Sequence, residues 1–448
     1  MRQKYAKEIS VAGLCLLLLV TFGCREKEPP DEETVVSDTL RFRGKVIEEL
    51  PSGETIREIA FVRGREFRWQ RKLGNRVGTP DIETGVPAAP LDLDSISVEK
   101  LAESLRGLAL YQGHVFLEAK PPLELARQAK EHHRLLQRGS SEEELERLFR
   151  GVPVTQGTAA RTADFEQVEG TAAAAAGRGA RQPRRAQDPE PAQIVHGVDD
   201  RVVLNNLVYP HRAQIVFDNT GSTNSIDGAE GSGTLIGRST ALSAAHVFWD
   251  EGNGTWEADH KWAPGFDSQD ADSSPWGDWF RCYWVTIPLA YTTNVNQNAW
   301  DFAVLDFNVG CNSVDNGVNS DQPGATVGWL GHYTASESTI EDLTGFVRGY
   351  PGAGTCGNPG QACNVRVWGD ISSSSENDAS SDAISYLADT SGGQSGSAFY
   401  HYADPSCSGC DFGPYLVGIH RVGGTTTNSA RRYNSTVRSF VQANSSEF

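Results

Sequence analysis

The stretch DTSGGQSGSAFY, residues 389–400, decides how this chain is read. Gly392, Gly393 and Gly396 free the backbone on both sides of Ser395, so neighbouring amides can converge on one oxygen. A hydroxyl becomes a strong nucleophile when a base takes its proton, and the base itself needs a group that orients it. Two segments upstream carry such groups. In GSGTLIGRSTALSAAHVF (231–248), Thr234–Ile236 reads as a short strand, Gly237–Ser239 as a turn and Thr240–Leu242 as a second strand. His246 follows the small residues Ser243, Ala244 and Ala245, a position from which an imidazole can open onto a cleft. In NAWDFAVLDF (298–307), Asp301 opens an alternating strand, and a carboxylate there can sit behind a histidine and fix its tautomer.

Acyl transfer at a peptide bond needs this set: a hydroxyl nucleophile, an imidazole base, a carboxylate that orients it, and backbone donors for the oxyanion. Ser395, His246 and Asp301 are the candidates for the first three roles, and the amides of Gly393 and Ser395 for the fourth. Alone, each residue has an ordinary structural use: a histidine after a strand, a capping aspartate, a glycine turn. Their occurrence together and in order outweighs those uses. A strand-to-helix nucleophile elbow would need glycine two places before and two places after the serine; Ser397 occupies the second place, so the spacing excludes it.

The order His246, Asp301, Ser395 is that of chymotrypsin-type proteases. The chain resembles the glutamyl endopeptidase branch of these trypsin-like serine proteases over about residues 194–440. SAAHVF, DFAVLDF and DTSGGQSGS match that branch's three motifs. IVHGVDDRVVLNNLVYPHRAQIVF (194–217) is similar to the start of its mature enzymes, and GYPG (349–352) and VGIHRVGG (417–424) also match. Val247 departs from a frequent cysteine, Ala398 from a proline, and Arg421 from an aromatic residue beside the specificity pocket. The resemblance implies an all-β catalytic domain of two six-stranded antiparallel barrels, with the site between them and a short C-terminal helix. It also implies that His420 and Thr390, with the amine freed at about Ile194, contact a substrate carboxylate. An imidazole poised near neutral pH and a hydroxyl are chemically suited to that task.

Outside these motifs the chain divides by composition. Residues 1–193 are nearly neutral, at -1, whereas 194–448 carry -17 and a single lysine, Lys261. With no basic stripe in the acidic half, nucleic acid is not an expected partner. Residues 1–24 read as an export signal, with Arg2, Lys4 and Lys7 before the apolar stretch Ile9 to Phe22. Gly23-Cys24 resembles a lipoprotein processing site, with Thr21 in place of the usual aliphatic residue. The protein is therefore expected to be secreted, by plain signal cleavage nearby, or held at the cell surface or outer membrane by a lipid on Cys24, which would be its sole membrane contact.

Residues 25–193 read as a small α+β prosegment. Hairpins are expected within Leu40 to Trp69, helical spacing in Val98 to Leu110 and Pro122 to Phe149, and a flexible linker over 157–193. The arginine-rich 178–185 cluster reads as a target for processing, and the resemblance of 194–217 to the start of mature enzymes, counted back from Asp200-Arg201, implies a mature start at about Ile194. Six cysteines follow, and an exported domain allows three bridges. Local pairing suggests Cys356–Cys363, Cys407–Cys410 and Cys282–Cys311, and the sequence leaves the connectivity open. Cys407 and Cys410 have no second ligand pair near them, so no metal site is expected; the chemistry requires no cofactor.

The expected protein is thus an exported serine endopeptidase made as a proenzyme. It would be monomeric when mature, act on proteins or peptides, and favour Glu or Asp before the scissile bond. The competing readings are a protease of the same fold with another specificity, which Arg421 permits, and an inactive protease fold serving as a surface binding protein.

Overall fold

Short runs in which nearly every residue is apolar or small, such as QIVFD, GSGTL, TALS and AVLD, pack with both faces covered and form the centre of an antiparallel sheet. This computed structural model describes residues 33–138 with breaks at 51–52 and 74–91, then 193–194, 196 and 201–447. The last span has breaks at 219–225, 227, 251–253, 258–259, 268–275, 277–278, 281–282, 294–296, 310–321, 353–364, 403–412, 425 and 446. Among the described residues the molecule is mostly strand, in two large antiparallel sheets with few helices. The all-β expectation for the catalytic half is met. No described helix is long and apolar enough to cross a membrane.

In the first sheet, the 194–448 region contributes strands in the spatial order Trp284–Pro288, Ala303–Asp306, Thr240–Ser243, Gly231–Leu235, Gln214–Asp218, Lys261–Pro264 and Trp279–Phe280. The register is antiparallel throughout; Ser243 faces Ala303 and Gly233 faces Ser243. The second sheet runs through Asp378–Ala379, Ala383–Tyr386, Asn428–Arg432, Tyr415–Gly423, Ala398–His401, Gly345–Gly349, Trp368–Ser372 and Val202–Val203, and Gly331–His332 pairs in parallel with Tyr415 and Leu416. Among the described residues, seven and nine strands thus stand in these sheets where six and six were expected. Two-residue strands at the margins account for the excess, and a motif pattern does not reveal such short pairings. The expected C-terminal helix is Ser435–Asn444, capped by Asn434, whose side chain accepts from the amides of Thr436 and Val437.

The expected hairpins in the N-terminal region are three antiparallel strands, Leu40–Glu49, Thr55–Val62 and Arg65–Lys72. The helix starting at Val98 ends at Ser104, and Gly107–Tyr111 is a strand, contrary to the helical reading of 98–110. All five residues GLALY are buried, and a short apolar run of that kind does not distinguish helix from strand by period. The next helix is Leu123–Gln137. Gly107–Tyr111 pairs directly with Trp284–Pro288, so one sheet crosses from the expected prosegment into the catalytic half. Cys24 and the six cysteines of the catalytic half all lie outside the described residues, as does the linker up to 192.

Candidate active site

Strand Thr240–Ser243 ends at Ala244, and the chain turns through Ala245–Val247, placing His246 at a strand end. Val247 packs against Gly231, where any side chain would collide with it. Asp301 lies between the short helix Gln297–Trp300 and the strand Ala303–Asp306, two residues before the strand begins. The pairing of Thr240–Ser243 with that strand brings the two residues together. His246 Nδ1 is 2.8 Å from Asp301 Oδ2, and the His246 amide donates to Oδ1 at 3.1 Å. Asp301 is 6% exposed. Burial works to raise its pKa, but the charge and hydrogen bonds of His246, with Arg421, outweigh burial and hold it below the usual carboxylate value. The His246 side chain keeps 27% of its surface open.

Ser395 sits in a turn between Thr390–Ser391 and Ala398–His401. Gly393 and Gly396 adopt φ of 88° and 90°, a region that other residues enter only with strain. At Gly396 a side chain would also strike Ser232 O and Ser243 Oγ, so the serine turn lies directly against the strand end that leads to His246. Ser232 ties the turn down: its amide donates to Ser395 O at 2.7 Å and its hydroxyl to Gly393 O at 2.8 Å. Among the described residues, the amides of Gly393 and Ser395 find no protein acceptor. Ser395 Oγ donates to the Arg421 carbonyl at 3.3 Å rather than to the imidazole. Such bonds are often long or misaligned in an unliganded site and tighten with substrate. Ala398, which replaces the expected proline, uses its amide to donate to Thr234 Oγ1 at 3.1 Å.

The residues expected to recognise a carboxylate are adjacent. The backbone of Ile194 pairs with Thr390, with Gln193 opposite Ser391, and the amide of His196 donates to Asp389 Oδ1 at 2.6 Å. Thr390 is fully buried and, among the described residues, its hydroxyl has no partner. His420 lies in Tyr415–Gly423, and its carbonyl accepts from the Gly396 amide at 2.7 Å. Its ring is buried, with Nδ1 2.5 Å from Tyr386 Oη. Burial first, then the positive fields of His246 and Arg421, push its pKa down to about 3. Burial thus favours the neutral ring here, against the expectation of an imidazole poised near neutral pH.

The sequence did not reveal how Arg201, Gln394, Tyr386 and Arg421 shape the site. Arg201 donates to Ser391 Oγ at 2.5 Å and to Gln394 Oε1 at 3.2 Å, and Gln394 Oε1 also accepts the Ser391 amide. Gln394 thus fixes the loop through an arginine, and its place just before the serine could have signalled this. Tyr386 supports His420, as above. The Arg421 side chain is buried, its Nε and Nη2 both within 3.2 Å of Ser429 Oγ. Among the described residues, no three His, Cys, Asp or Glu side chains gather into a group able to hold a metal ion.

No family model matches the chain. It is 27% identical over 257 residues to a glutamyl endopeptidase of Bacillus licheniformis, spanning 56% of this chain and 69% of that one. It is 26% identical over 265 residues to an extracellular metalloprotease of Bacillus subtilis (strain 168), spanning 58% and 72%. Two solved structures overlap it weakly. A Glu endopeptidase in complex with MPD has a TM-score of 0.41 and 21% identity, covering 56% of this chain and 99% of that one. The thermostable serine protease AL20 has a TM-score of 0.35 and 18% identity, covering 52% and 97%. At low identity, the chain is thus similar to a glutamyl endopeptidase over somewhat more than half of its length.

Proposed function

We propose that Ser395, His246 and Asp301 form the catalytic triad of this chain, a serine endopeptidase whose substrates are proteins or peptides. Ser395 attacks the scissile carbonyl and His246 takes its proton, later returning it to the leaving amine. Asp301 holds the imidazole in one tautomer and stabilises the imidazolium. The amides of Gly393 and Ser395 receive the oxyanion. The observation that carries this reading is the buried Asp301–His246 pair with the serine turn packed on the strand end beneath it. The inactive-fold alternative has no support from this geometry. Replacing Ser395 by alanine should lower turnover by roughly three or more orders of magnitude and abolish fluorophosphonate labelling, with the fold retained. Wild-type-like hydrolysis by folded Ser395→Ala protein would refute the triad.

The protein is exported and made as a proenzyme, with cleavage before about Ile194, and prefers Glu or Asp before the scissile bond. The unpaired buried hydroxyl of Thr390, its pairing with Ile194 and the neighbouring His420 support a carboxylate site there. The licheniform relative's name points the same way. Otherwise identical peptides ending in Glu or Gln before the bond test it, since the two differ little in size. A lost charge-assisted hydrogen bond, about 1.5–3 kcal/mol, corresponds to a ratio of roughly 10- to 150-fold. Closure of the His420 ring by Tyr386 favours a second reading, in which the fold serves another specificity; equal cleavage after Glu and Gln would select it.

A further inference from the structure

We propose that residues 33–138 stay bound after the chain is cut ahead of Ile194, as a lasting non-covalent subunit of the enzyme rather than a discarded prosegment. This rests on the processing reading above for its biological occasion, but the interface that carries it is independent of that reading.

The attachment begins with backbone. Gly107–Tyr111 pairs with Trp284–Pro288 in antiparallel register, Leu110 opposite Val285 and Leu108 opposite Ile287. The chain on either side of the cut therefore belongs to one sheet, and separating the parts would leave a row of unpaired amides and carbonyls on each. The side chains are shared as well. Leu101, Leu108, Leu110 and Leu125 belong to the same buried cluster as Val285, Ile287, Phe302 and Phe440. On the opposite face of the sheet, Trp284 and Val309 complete a cluster made otherwise by Leu40, Phe42, Phe67, Tyr111 and Phe116. Trp284 meets Phe67 edge-on at 5.4 Å. Neither part has a core of its own at these positions.

Polar groups close the seam. Arg65 pairs with the 4%-exposed Glu118, and its Nη1 also donates to Ala443 O at 2.9 Å and Asn444 Oδ1 at 2.8 Å, at the end of the C-terminal helix. Helix Leu123–Gln137 brings buried His132 Nδ1 to within 2.7 Å of Ser435 Oγ, at the start of that helix. Ser37 and Thr39 both donate to Asn308 O, and the Leu289 amide donates to Arg106 O at 2.8 Å. The pieces are joined only through 139–192, so cutting there breaks none of these contacts. With residues 33–138 seated, His246 still keeps about a quarter of its side chain open, so the segment braces the sheet and does not plug the imidazole.

The test uses the full chain as its Ser395→Ala variant, with the recognition sequence of a site-specific protease replacing the residues that end at 193, so that the cut frees the amine of Ile194. After the cut, the protein is run on a sizing column in native buffer and the fractions are weighed by mass spectrometry. The two pieces should elute together in equal amounts and part only in denaturant. Free 33–138 in native buffer overturns the proposal, whatever becomes of the other piece. The same cut protein with Ser395 intact should be active in the fraction holding both pieces; activity confined to fractions lacking 33–138 also overturns it. Because the cut is introduced, a failure of natural processing near Ile194 would refute the proenzyme reading and leave this result standing.

Discussion

His420 and Arg421 are neighbours with opposite protonation behaviour. Burial lowers the pKa of both, which empties the imidazole of its proton at about pH 3 and leaves the guanidinium charged. A neutral His420 can serve a carboxylate only as a neutral donor, so its own titration should not appear in the specificity profile. The freed amine at about Ile194 should, since an α-amino group titrates near 8. The Glu-to-Gln ratio is therefore expected to hold level as pH passes 6.5 and to fall around pH 8, where the amine loses its charge. A drop centred near 6.5, read from kcat/KM for the two peptides between pH 5 and 9, would mean that the imidazole is charged. His420→Ala should collapse the ratio at any pH while still allowing acylation. At Asp301, replacement by asparagine should cost roughly 10³- to 10⁴-fold in kcat at neutral pH by admitting the wrong imidazole tautomer, and little in KM. The turn around Ser395 was legible because Gly393 and Gly396 announce it. The direction of Arg421 was not, because sequence does not tell which face of a bulged strand a charged residue takes; the register shifts between His420 and Val422.

Elements make a second set of demands. Helix Leu123–Gln137 is fastened to Ser435–Asn444 through His132, which is 2% exposed. Burial, followed by Arg438 and His133, lowers the His132 pKa to about 3. His332, beside the same Arg438, is also held at about 3, again mainly by burial. A base with a lowered folded-state pKa gives stability that is full above its unfolded value of about 6.5 and is lost as pH falls toward 3. Acidifying from pH 7 to 5 should accordingly weaken the fold, by about 2 kcal/mol for His132 alone. His132→Asn should flatten the slope of stability against pH in urea titrations; an unchanged slope would show that this ring is not buried. The two hairpin-forming stretches of 40–69 and the helix from 123 could be read from local alternation and period. The strand Gly107–Tyr111 could not, and neither could its partner 173 residues or more later, because an edge pairing between distant apolar runs leaves no local pattern.

At the scale of the molecule, the charge contrast between a near-neutral first part and a second part at -17 leaves the catalytic half repelling acidic substrates at long range. That field is screened beyond about 8 Å in physiological salt, so the pocket's own donors decide preference. The uncut chain should be poorly active, because the amine needed beside Thr390 is still locked in a peptide bond. Single-turnover assays of uncut and cut protein compare the two directly, and equal activity would remove the proenzyme reading. If Cys282, Cys311, Cys356, Cys363, Cys407 and Cys410 are all paired, denatured unreduced protein will show no reactive thiol, and two or more would exclude three bridges. The shared sheet has a further consequence for solubility. Among the described residues, the outermost strand beyond Leu40–Glu49 is Thr34–Val35, and its neighbour is studded with Arg41, Arg43, Lys45, Glu48 and Glu49, a short and charged margin that discourages other chains from adding on. Without residues 33–138 the margin becomes Trp284-Val285-Thr286-Ile287-Pro288, apolar and free of charge. Protein shortened to begin near 194 before folding should therefore gather into β-rich aggregates that bind thioflavin, with copies of that strand supplying the pairing that Gly107–Tyr111 provides in the intact chain.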